Sequence, residues 1–263
     1  MSKKKVLYEK RDGVARITLN RPEESNPVDN EGLRLLFEYV IEIDEDPEVR
    51  AVLLTGSGGF FSSGGDLKFF RDNSDRVAQL LKEGTTYLHA AQSRLARMAA
   101  PVVVAVNGIA AGGGASLAFS GDIVLAAESA TFTMAYTAAG LSPDGGSTYY
   151  LPRLAGLRRA QELFLTNRPF TAQEAYEWGL VTRVVPDDKV LEEAEALCAK
   201  FAKGPTRAYA SVKRLLAESF QNPMETQLEL ETRHIAVNAA SPDGIEGVAA
   251  FADKRKPTFK GVR

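Results

Sequence analysis

The sequence predicts an α/β fold, because short, mainly apolar segments alternate with longer stretches of helical periodicity. Three apolar segments carry this prediction: residues 51–55, 102–106 and 122–127. The first ends at Gly56 and the second at Asn107-Gly108, which are turn signals. Such a pattern is typical of strands that are covered on both faces within a layered fold.

The N-terminal part of the chain predicts a strand, a helix and a buried strand. Residues 13–20 alternate apolar and polar side chains and end at Asn20-Arg21-Pro22, which favours a strand followed by a turn. Asp29 or Asn30 is positioned to cap a following amphipathic helix. Its apolar positions recur at helical spacing: Leu33, Leu36, Phe37, Val40 and Ile41. Residues 51–55 then supply the buried strand.

A similar unit follows in the middle of the chain. Helical periodicity over about residues 75–99 leads through Pro101 into the buried strand at 102–106. A third buried strand is predicted at 122–127. The alternation of strands and helices therefore continues through the first half of the sequence.

The C-terminal part predicts helices alone. After Pro186, and up to about residue 239, helix-forming residues dominate and β-branched clusters are few. Breaks are expected at Gly204-Pro205 and Asn222-Pro223. We therefore predict a helical section whose boundary with the α/β core lies between residues 186 and 205.

Composition indicates a globular protein of a reducing compartment. The 32 basic and 34 acidic residues give a net charge of -2, so no basic field favours nucleic acid or a membrane surface. The single cysteine, Cys198, excludes an internal disulfide, and no apolar run approaches the ~20 residues of a membrane span. The two histidines, His89 and His234, are too far apart for a helical zinc pair. We expect a cytoplasmic protein without a metal site.

Two glycine-rich segments, residues 56–66 and 108–116, follow predicted strands, where α/β folds place ligands. A dinucleotide loop would need glycine at Phe61, and no Gly-Lys-Ser/Thr is present. Ser116 misses the serine-hydrolase elbow because Ala118 replaces its second glycine, which favours a packed helix serine. Glycine N–H groups can instead converge on a carbonyl oxygen, such as that of a thioester. Tight turns or close packing explain the same glycines equally well.

Several short motifs occur in an order and spacing that resemble a known family. They are residues 20–22 (NRP), 61–68 (FSSGGDLK), 100–114 (APVVVAVNGIAAGGG), 122–123 (DI), 140–143 (GLSP), 151–154 (LPRL), 174–181 (EAYEWGLV) and 246–255 (EGVAAFADKR). Together they resemble the crotonase (enoyl-CoA hydratase/isomerase) superfamily. The match extends from about residue 6 to residue 261.

This resemblance implies a fold, an assembly and a substrate. Residues 1–200 would form a spiral of repeated strand-strand-helix units, and residues 201–263 a helical section that assembles trimers and often hexamers. The substrate would be an acyl-CoA thioester, so that coenzyme A is part of the substrate and no separate cofactor is needed. The backbone N–H groups of Gly65 and Gly113 would form the oxyanion hole, aided by the dipole of a helix beginning at Gly113.

The resemblance also implies contacts with the substrate. Apolar residues of the region 69–88 would line the acyl pocket, and C-terminal residues would reach the CoA of a neighbouring subunit. The expected substrate-binding residues are Ser63, Gly64, Asp66, Leu67, Lys68, Ser116, Tyr136, Phe251 and Lys254.

The sequence departs from the hydratases at their two catalytic glutamates, which activate a water molecule. Ser116 and Tyr136 occupy these positions, and neither is an anionic base at neutral pH. Asp144, in residues 143–148 (PDGGST), resembles instead the single aspartate of the isomerase branch, and particularly of phenylacetyl-CoA ring-epoxide isomerases. One carboxylate suffices there to move a proton while the oxyanion hole holds the enolate. The alternative for Asp144 is an N-cap of the following helical turn.

The same region, with residues 165–168 (LTNR), also resembles 4-chlorobenzoyl-CoA dehalogenase, in which an aspartate attacks the aromatic ring and a histidine drives ester hydrolysis. His89 matches that histidine, although it would equally suit a structural role, and Tyr136 replaces a tryptophan. We therefore predict an acyl-CoA isomerase with Asp144 as base. The alternatives are a dehalogenase with Asp144 as nucleophile and His89 as base, an enoyl-CoA hydratase, and a catalytically silent protein that binds CoA thioesters.

Overall fold

Strands form three sheets in the computed structural model, which describes residues 4–261. In chain order they are β1 (Val6–Arg11), β2 (Val14–Leu19), β3 (Pro27–Val28), β4 (Ala51–Gly56), β5 (Phe60–Ser62), β6 (Gly64–Gly65), β7 (Val102–Val106), β8 (Ile109–Ala111), β9 (Ile123–Ala127), β10 (Thr131–Thr133), β11 (Phe170–Thr171) and β12 (Arg183–Val185). The sheet orders are β1-β2-β4-β7-β9-β12, β11-β10-β8-β5 and β3-β6. Only the β1–β2 and β10–β11 pairs described there are antiparallel.

Helices connect and cover these strands. They are α1 (Asn30–Glu45), α2 (Leu67–Asp72), α3 (Val77–Arg97), α4 (Gly113–Ala118), α5 (Ser147–Leu154), α6 (Leu157–Thr166), α7 (Ala172–Glu177), α8 (Val190–Ala202), α9 (Thr206–Ser219), α10 (Met224–Ala239) and α11 (Pro242–Ala252). Short 3-10 turns occur at Pro22–Glu24, Ser74–Arg76 and Thr137–Ala139. Within the described residues, no helix has both the length and the apolar character needed to cross a membrane.

A repeated strand-strand-helix unit generates the core. β4, β7 and β9 are consecutive neighbours in the six-stranded sheet, and β5, β8 and β10, which follow them in the chain, are neighbours in the four-stranded sheet. Each unit thus adds one strand to each sheet before a helix returns the chain. The predicted α/β fold with spiral units is confirmed, and its layers bring the ends of β6 and β8 together beside α4.

The predicted elements of the first half are present. The strand at 13–20 is β2, and Asp29 caps α1 by accepting a hydrogen bond from the Gly32 N–H at 2.9 Å. The three apolar segments are β4, β7 and β9, and every residue of β4 and β7 is buried. The edge strand β1 was not predicted, because its second half carries the exposed residues Glu9, Lys10 and Arg11 and lacks an apolar pattern.

The C-terminal helices divide into two groups. α8 packs against β4 and β7, whereas α9 is held at the edge of the core by Lys213, whose Nζ lies 2.7 Å from Asp122 Oδ2. The predicted division at residue 200 stays a prediction, since α8 spans it. α9, α10 and α11 leave many large apolar side chains exposed: Val212, Leu216, Phe220, Met224, Leu228, Ile235, Val237, Ile245, Val248 and Phe251.

Candidate active site

A cavity of about 240 Å³ lies where the two glycine-rich segments meet. One part of its wall, which we call the apolar end, consists of apolar residues, most of them from α1, α2 and α3. The other end is polar and contains Gly65, Gly113, Tyr136, Ser142 and Asp144. Asp144 is the only charged side chain in the described cavity wall. The residues of the apolar end are Val28, Leu33, Leu67, Phe70, Leu80, Leu81, Gly84, Leu88, Ala139 and Leu141.

Close backbone packing at Gly64 determines the shape of the polar end. Gly64 has a φ of +88°, and a methyl group there would lie 2.5 Å from the Ala111 carbonyl oxygen and 3.1 Å from the Gly113 nitrogen. Only glycine combines this backbone conformation with so close an approach. The absence of a side chain at Gly64 therefore allows β6 to bring Gly65 next to the start of α4.

The N–H of Gly113 is the first of α4 and has no acceptor within its own helix. A methyl group built on Gly113 would lie 3.9 Å from the Gly65 nitrogen and 3.9 Å from Asp144 Oδ1. One small space is thus bounded by both glycines and by one carboxylate oxygen. An arrangement of fixed backbone dipoles beside a base suits a reaction in which a carbonyl oxygen gains negative charge.

Asp144 lies in the loop that precedes α5. The N-cap of α5 is Gly146. In this turn Asp144 contributes its backbone carbonyl oxygen, which accepts hydrogen bonds from the Ser147 N–H at 3.1 Å and from the Ser147 hydroxyl at 2.8 Å. Its carboxylate instead accepts a hydrogen bond from the Tyr136 hydroxyl, with 2.7 Å between the oxygens. The alternative prediction that the Asp144 side chain is an N-cap is therefore wrong.

Tyr136 and Ser116 form a buried pair of hydroxyl groups behind Asp144. Their oxygens are 2.7 Å apart, and Ser116 is fully buried while Tyr136 is 8% exposed. Burial, together with the adjacent Asp144 carboxylate, raises the pKa of Tyr136 above its usual value. Tyr136 is therefore a neutral hydrogen-bond donor at neutral pH. Of the two predicted contact residues, Tyr136 lines the cavity and Ser116 lies behind its wall.

His89 approaches the Asp144 loop from α3. Its Nε2 accepts a hydrogen bond from the Gly145 N–H at 3.1 Å, so this nitrogen carries a lone pair in the structure. The His89 ring is exposed and does not contribute to the cavity wall. His89 therefore contacts the backbone of the loop at Gly145.

A comparison of the whole chain with protein families agrees with this geometry. The profile of the family described as Enoyl-CoA hydratase/isomerase matches residues 9–262. The chain belongs to the enoyl-CoA hydratase/isomerase family. This confirms the resemblance seen in the sequence motifs and identifies the chain as a member of a family of CoA-thioester enzymes.

Individual family members show the same relationship. The chain is 39% identical to the 1,2-epoxyphenylacetyl-CoA isomerase of Escherichia coli (strain K12) over 257 residues, 97% of this chain and 98% of that one. It is 33% identical to the 4-chlorobenzoyl coenzyme A dehalogenase-1 of Arthrobacter sp over 250 residues, 95% and 91% of the two chains. A crystal structure of an enoyl-CoA hydratase from Polaromonas sp. JS666 has a TM-score of 0.92 and 32% identity, covering 97% of this chain and 99% of that one.

Only some of the predicted substrate-binding residues around the first glycine-rich segment line the cavity. Ser63 and Leu67 line it, whereas Lys68 is exposed outside its wall. The Asp66 carboxylate accepts hydrogen bonds from the Phe69 N–H at 3.0 Å and from Arg21 Nη1 at 2.9 Å. Burial opposes ionisation of Asp66, but these hydrogen bonds hold its pKa below the usual value. Asp66 therefore caps α2 and lies outside the cavity wall.

The predicted C-terminal contacts lie away from the cavity. Phe251, near the end of α11, is 86% exposed, and Lys254 is exposed just beyond that helix. Neither lines the cavity of its own chain. Their contact with the CoA of a neighbouring subunit stays a prediction.

Several cavity residues were not predicted from the sequence. The acyl pocket was expected from residues 69–88, and Phe70, Leu80, Leu81 and Leu88 lie there. Other residues of the same wall come from distant positions in the sequence, which are Val28, Asn30, Leu33, Ala139 and Leu141. The helical pattern around Leu33 predicts burial but does not show which part of the interior that side chain faces.

Proposed function

We propose that the protein is an acyl-CoA isomerase that moves a carbon–carbon double bond by proton transfer. One observation carries the proposal: Asp144, the only charged side chain of the described cavity wall, has its Oδ1 beside the space bounded by Gly65 and Gly113. A base and an oxyanion hole within reach of one small group are the requirements for forming and quenching an enolate.

The proposed reaction begins with the thioester carbonyl oxygen between the N–H groups of Gly65 and Gly113. In a 3-enoyl-CoA, Asp144 removes a proton from C2, and the electron pair left behind is delocalised as a dienolate onto the carbonyl oxygen. The protonated Asp144 then returns this proton to C4. The double bond has moved from C3–C4 to C2–C3, and the carboxylate is regenerated without water or any other reactant.

Hydration needs more than these groups supply. Addition of water requires a base for the water molecule and an acid for the carbon that is protonated. Ser116 lies behind the cavity wall, and burial raises the pKa of Tyr136, which keeps its phenol protonated. These features support isomerisation over hydration.

Hydrolytic dehalogenation would need a histidine at the ester formed on Asp144. The His89 Nε2 is hydrogen-bonded to the Gly145 N–H, and the ring lies outside the cavity wall. A role as general base would require His89 to give up that bond and turn towards the carboxylate. The observed contact therefore supports a structural role for His89.

Replacing Asp144 with asparagine tests the proposal. Asp144→Asn removes the base and keeps the size of the side chain, so conversion of a 3-enoyl-CoA should fall by about 100- to 10,000-fold. The measurement is the absorbance of the conjugated 2-enoyl thioester under saturating substrate. Asp188→Asn, an exposed position outside the cavity wall, is the matched control and should behave as wild type. A folded Asp144→Asn protein with normal turnover would contradict the proposal.

We also infer a cytoplasmic homotrimer or dimer of trimers. The large apolar side chains exposed on α9, α10 and α11, including Phe220 at 71% and Phe251 at 86%, support burial between copies of the chain. A single cysteine, Cys198, fits a reducing compartment. Light scattering on the purified protein should give the mass of three or six chains, and a monomer would contradict the assembly.

A further inference from the structure

The hydroxyl protons of the buried pair behind Asp144, Tyr136 and Ser116, point in one direction, towards the carboxylate. Three oxygen atoms are linked in a row by hydrogen bonds. The distance is 2.7 Å from Asp144 Oδ1 to Tyr136 Oη and 2.7 Å from Tyr136 Oη to Ser116 Oγ. An ionised carboxylate only accepts hydrogen bonds, so the single Tyr136 hydroxyl proton points towards Asp144. The tyrosine oxygen is then an acceptor for the Ser116 hydroxyl proton.

A strained turn delivers Tyr136 to this position. The Tyr136 N–H donates to the Met134 carbonyl oxygen at 2.6 Å, and Ala135 between them has a φ of +45°. A three-residue turn with a left-handed central residue is the less favourable form of the γ-turn. Such strain persists only where the surrounding structure imposes it, and it is concentrated at functional sites.

Ser116 has a second possible acceptor next to the oxyanion hole. Its Oγ lies 3.1 Å from the Gly112 carbonyl oxygen as well as 2.7 Å from Tyr136 Oη. The Gly112 carbonyl and the Gly113 N–H belong to the same peptide unit. Because Ser116 has one hydroxyl proton, donation to Tyr136 excludes donation to Gly112 at the same time.

From these contacts we propose that Tyr136 is a positioning residue, which holds the Asp144 carboxylate beside the oxyanion hole. In this proposal Ser116 acts through Tyr136, by fixing the direction of the Tyr136 hydroxyl proton. The proposal rests on the proposed isomerase function. It assigns a purpose to both residues that replace the glutamates of hydratases.

Few other groups can influence this carboxylate. Within the described residues, three titratable side chains lie next to the Asp144 loop: Tyr136, from the segment after β10, His89, from α3 through the Gly145 N–H, and Tyr150, whose ring lies beside Gly146. The described cavity wall contains no lysine, arginine or second carboxylate. Loss of the Tyr136 donor should therefore be seen directly in the pH dependence of the reaction.

Tyr136→Phe removes the donor and keeps the ring. A hydrogen bond to a charged group favours the charged form, so its loss should move the acid limb of the kcat/KM profile upward by about one pH unit. Turnover at the pH optimum should fall about tenfold, because the carboxylate is no longer held in place. Incorporation of 3-fluorotyrosine at the same position replaces one ring hydrogen with fluorine, which makes the hydroxyl group a stronger donor, and should move the acid limb downward.

Ser116→Ala tests the second half of the proposal. Alone, it should move the acid limb upward by less than Tyr136→Phe, whereas in the Tyr136→Phe protein it should add nothing, since Ser116 acts through the lost hydroxyl. All profiles are repeated with His89→Gln, which removes the imidazole titration. Circular dichroism and thermal unfolding establish that each variant is folded.

Two results would overturn the proposal. One is an acid limb that is unchanged in both the phenylalanine and the fluorotyrosine proteins. The other is an effect of Ser116→Ala that persists in full without the Tyr136 hydroxyl. Either result leaves the proposed function intact if Asp144→Asn still abolishes isomerisation. Normal turnover by Asp144→Asn would instead remove the proposed function itself.

Discussion

The two ends of the cavity are built differently. At the polar end, each predicted group is fixed by backbone geometry or a hydrogen bond: Gly64 holds Gly65 against α4, and Tyr136 holds Asp144 at 2.7 Å. At the apolar end, apolar side chains, most of them from α1, α2 and α3, line the cavity without directional bonds. Directional bonds fix a geometry to within tenths of an ångström, whereas apolar packing mainly fixes a volume.

From this difference we expect the polar end to determine the reaction rate and the apolar end to determine the selectivity for acyl groups. Small displacements at the polar end alter the distance between base, carbonyl oxygen and substrate, so they should lower the rate for every acyl group. Changes of volume at the apolar end should alter the relative rates of different acyl groups. The following substitutions test the comparison in order of decreasing effect.

Gly113→Ala should have the largest effect. Apart from its chain neighbours and its own helix, the added methyl group would have no protein atom closer than 3.9 Å, so the fold should be unaffected. The methyl group would, however, occupy the space between Asp144 Oδ1 and the Gly65 nitrogen. We expect a loss of kcat/KM of about 100-fold for all acyl chains, as for other displacements of about 1 Å at reacting groups. Steady-state kinetics with a short and a long 3-enoyl-CoA measure it.

Gly59→Ala is the matched control for Gly113→Ala. A methyl group at Gly59, in the same glycine-rich segment as Gly65, would meet no atom within 4 Å, and this residue lies outside the cavity wall. Its kinetics should equal those of wild type. Wild-type kinetics for Gly113→Ala as well would show that the thioester lies elsewhere.

Leu81→Ala should have an intermediate and selective effect. Leu81 lines the apolar end, and its truncation enlarges the acyl pocket without touching the polar end. We expect kcat/KM for a short acyl chain to fall about tenfold, in line with the loss of one to two methylene contacts, and to fall much less for a bulkier chain. The ratio of the two rates is the measurement. An equal loss for both chains would contradict the separation of the two ends.

His89→Ala should have the smallest effect. It removes the acceptor of the Gly145 N–H but no group of the cavity wall, so isomerisation should fall by less than about tenfold. His89→Gln, which retains a possible acceptor, is the control and should be closer to wild type. Mass spectrometry after incubation of His89→Ala with 4-chlorobenzoyl-CoA should show no adduct, and an aroyl ester on Asp144 would instead support the dehalogenase mechanism.

The same contrast explains what could be predicted from the sequence. Buried parallel strands such as β4 and β7 are continuous apolar runs, so they were recognisable, as were the glycines that permit close backbone approach. Short second-layer strands such as β8, with three residues, leave no periodicity to detect. The hydrogen bond from Tyr136 to Asp144 depends on an unusual turn at Ala135, which no local pattern indicates.

The apolar end shows the limit most clearly. Leu33 of α1 and Leu141 of the loop before α5 line the same cavity although they are far apart in sequence. The free energy of removing apolar surface from water favours a position in the core and a position in a pocket wall alike. Which of the two an apolar residue takes therefore depends on its tertiary neighbours. We therefore expect the three-dimensional arrangement of these side chains to determine which acyl group is accepted.

The most direct test of the central claim is the fate of a 3-enoyl-CoA in water enriched in oxygen-18. A single carboxylate that transfers a proton within the bound substrate predicts a 2-enoyl-CoA product of unchanged mass, with no oxygen-18 in the acyl chain, as the main product of the wild-type protein. In a parallel incubation with the conjugated 2-enoyl-CoA, a 3-hydroxyacyl product carrying oxygen-18 that forms as fast as or faster than the 3-enoyl-CoA is isomerised would contradict the account and identify the protein as a hydratase.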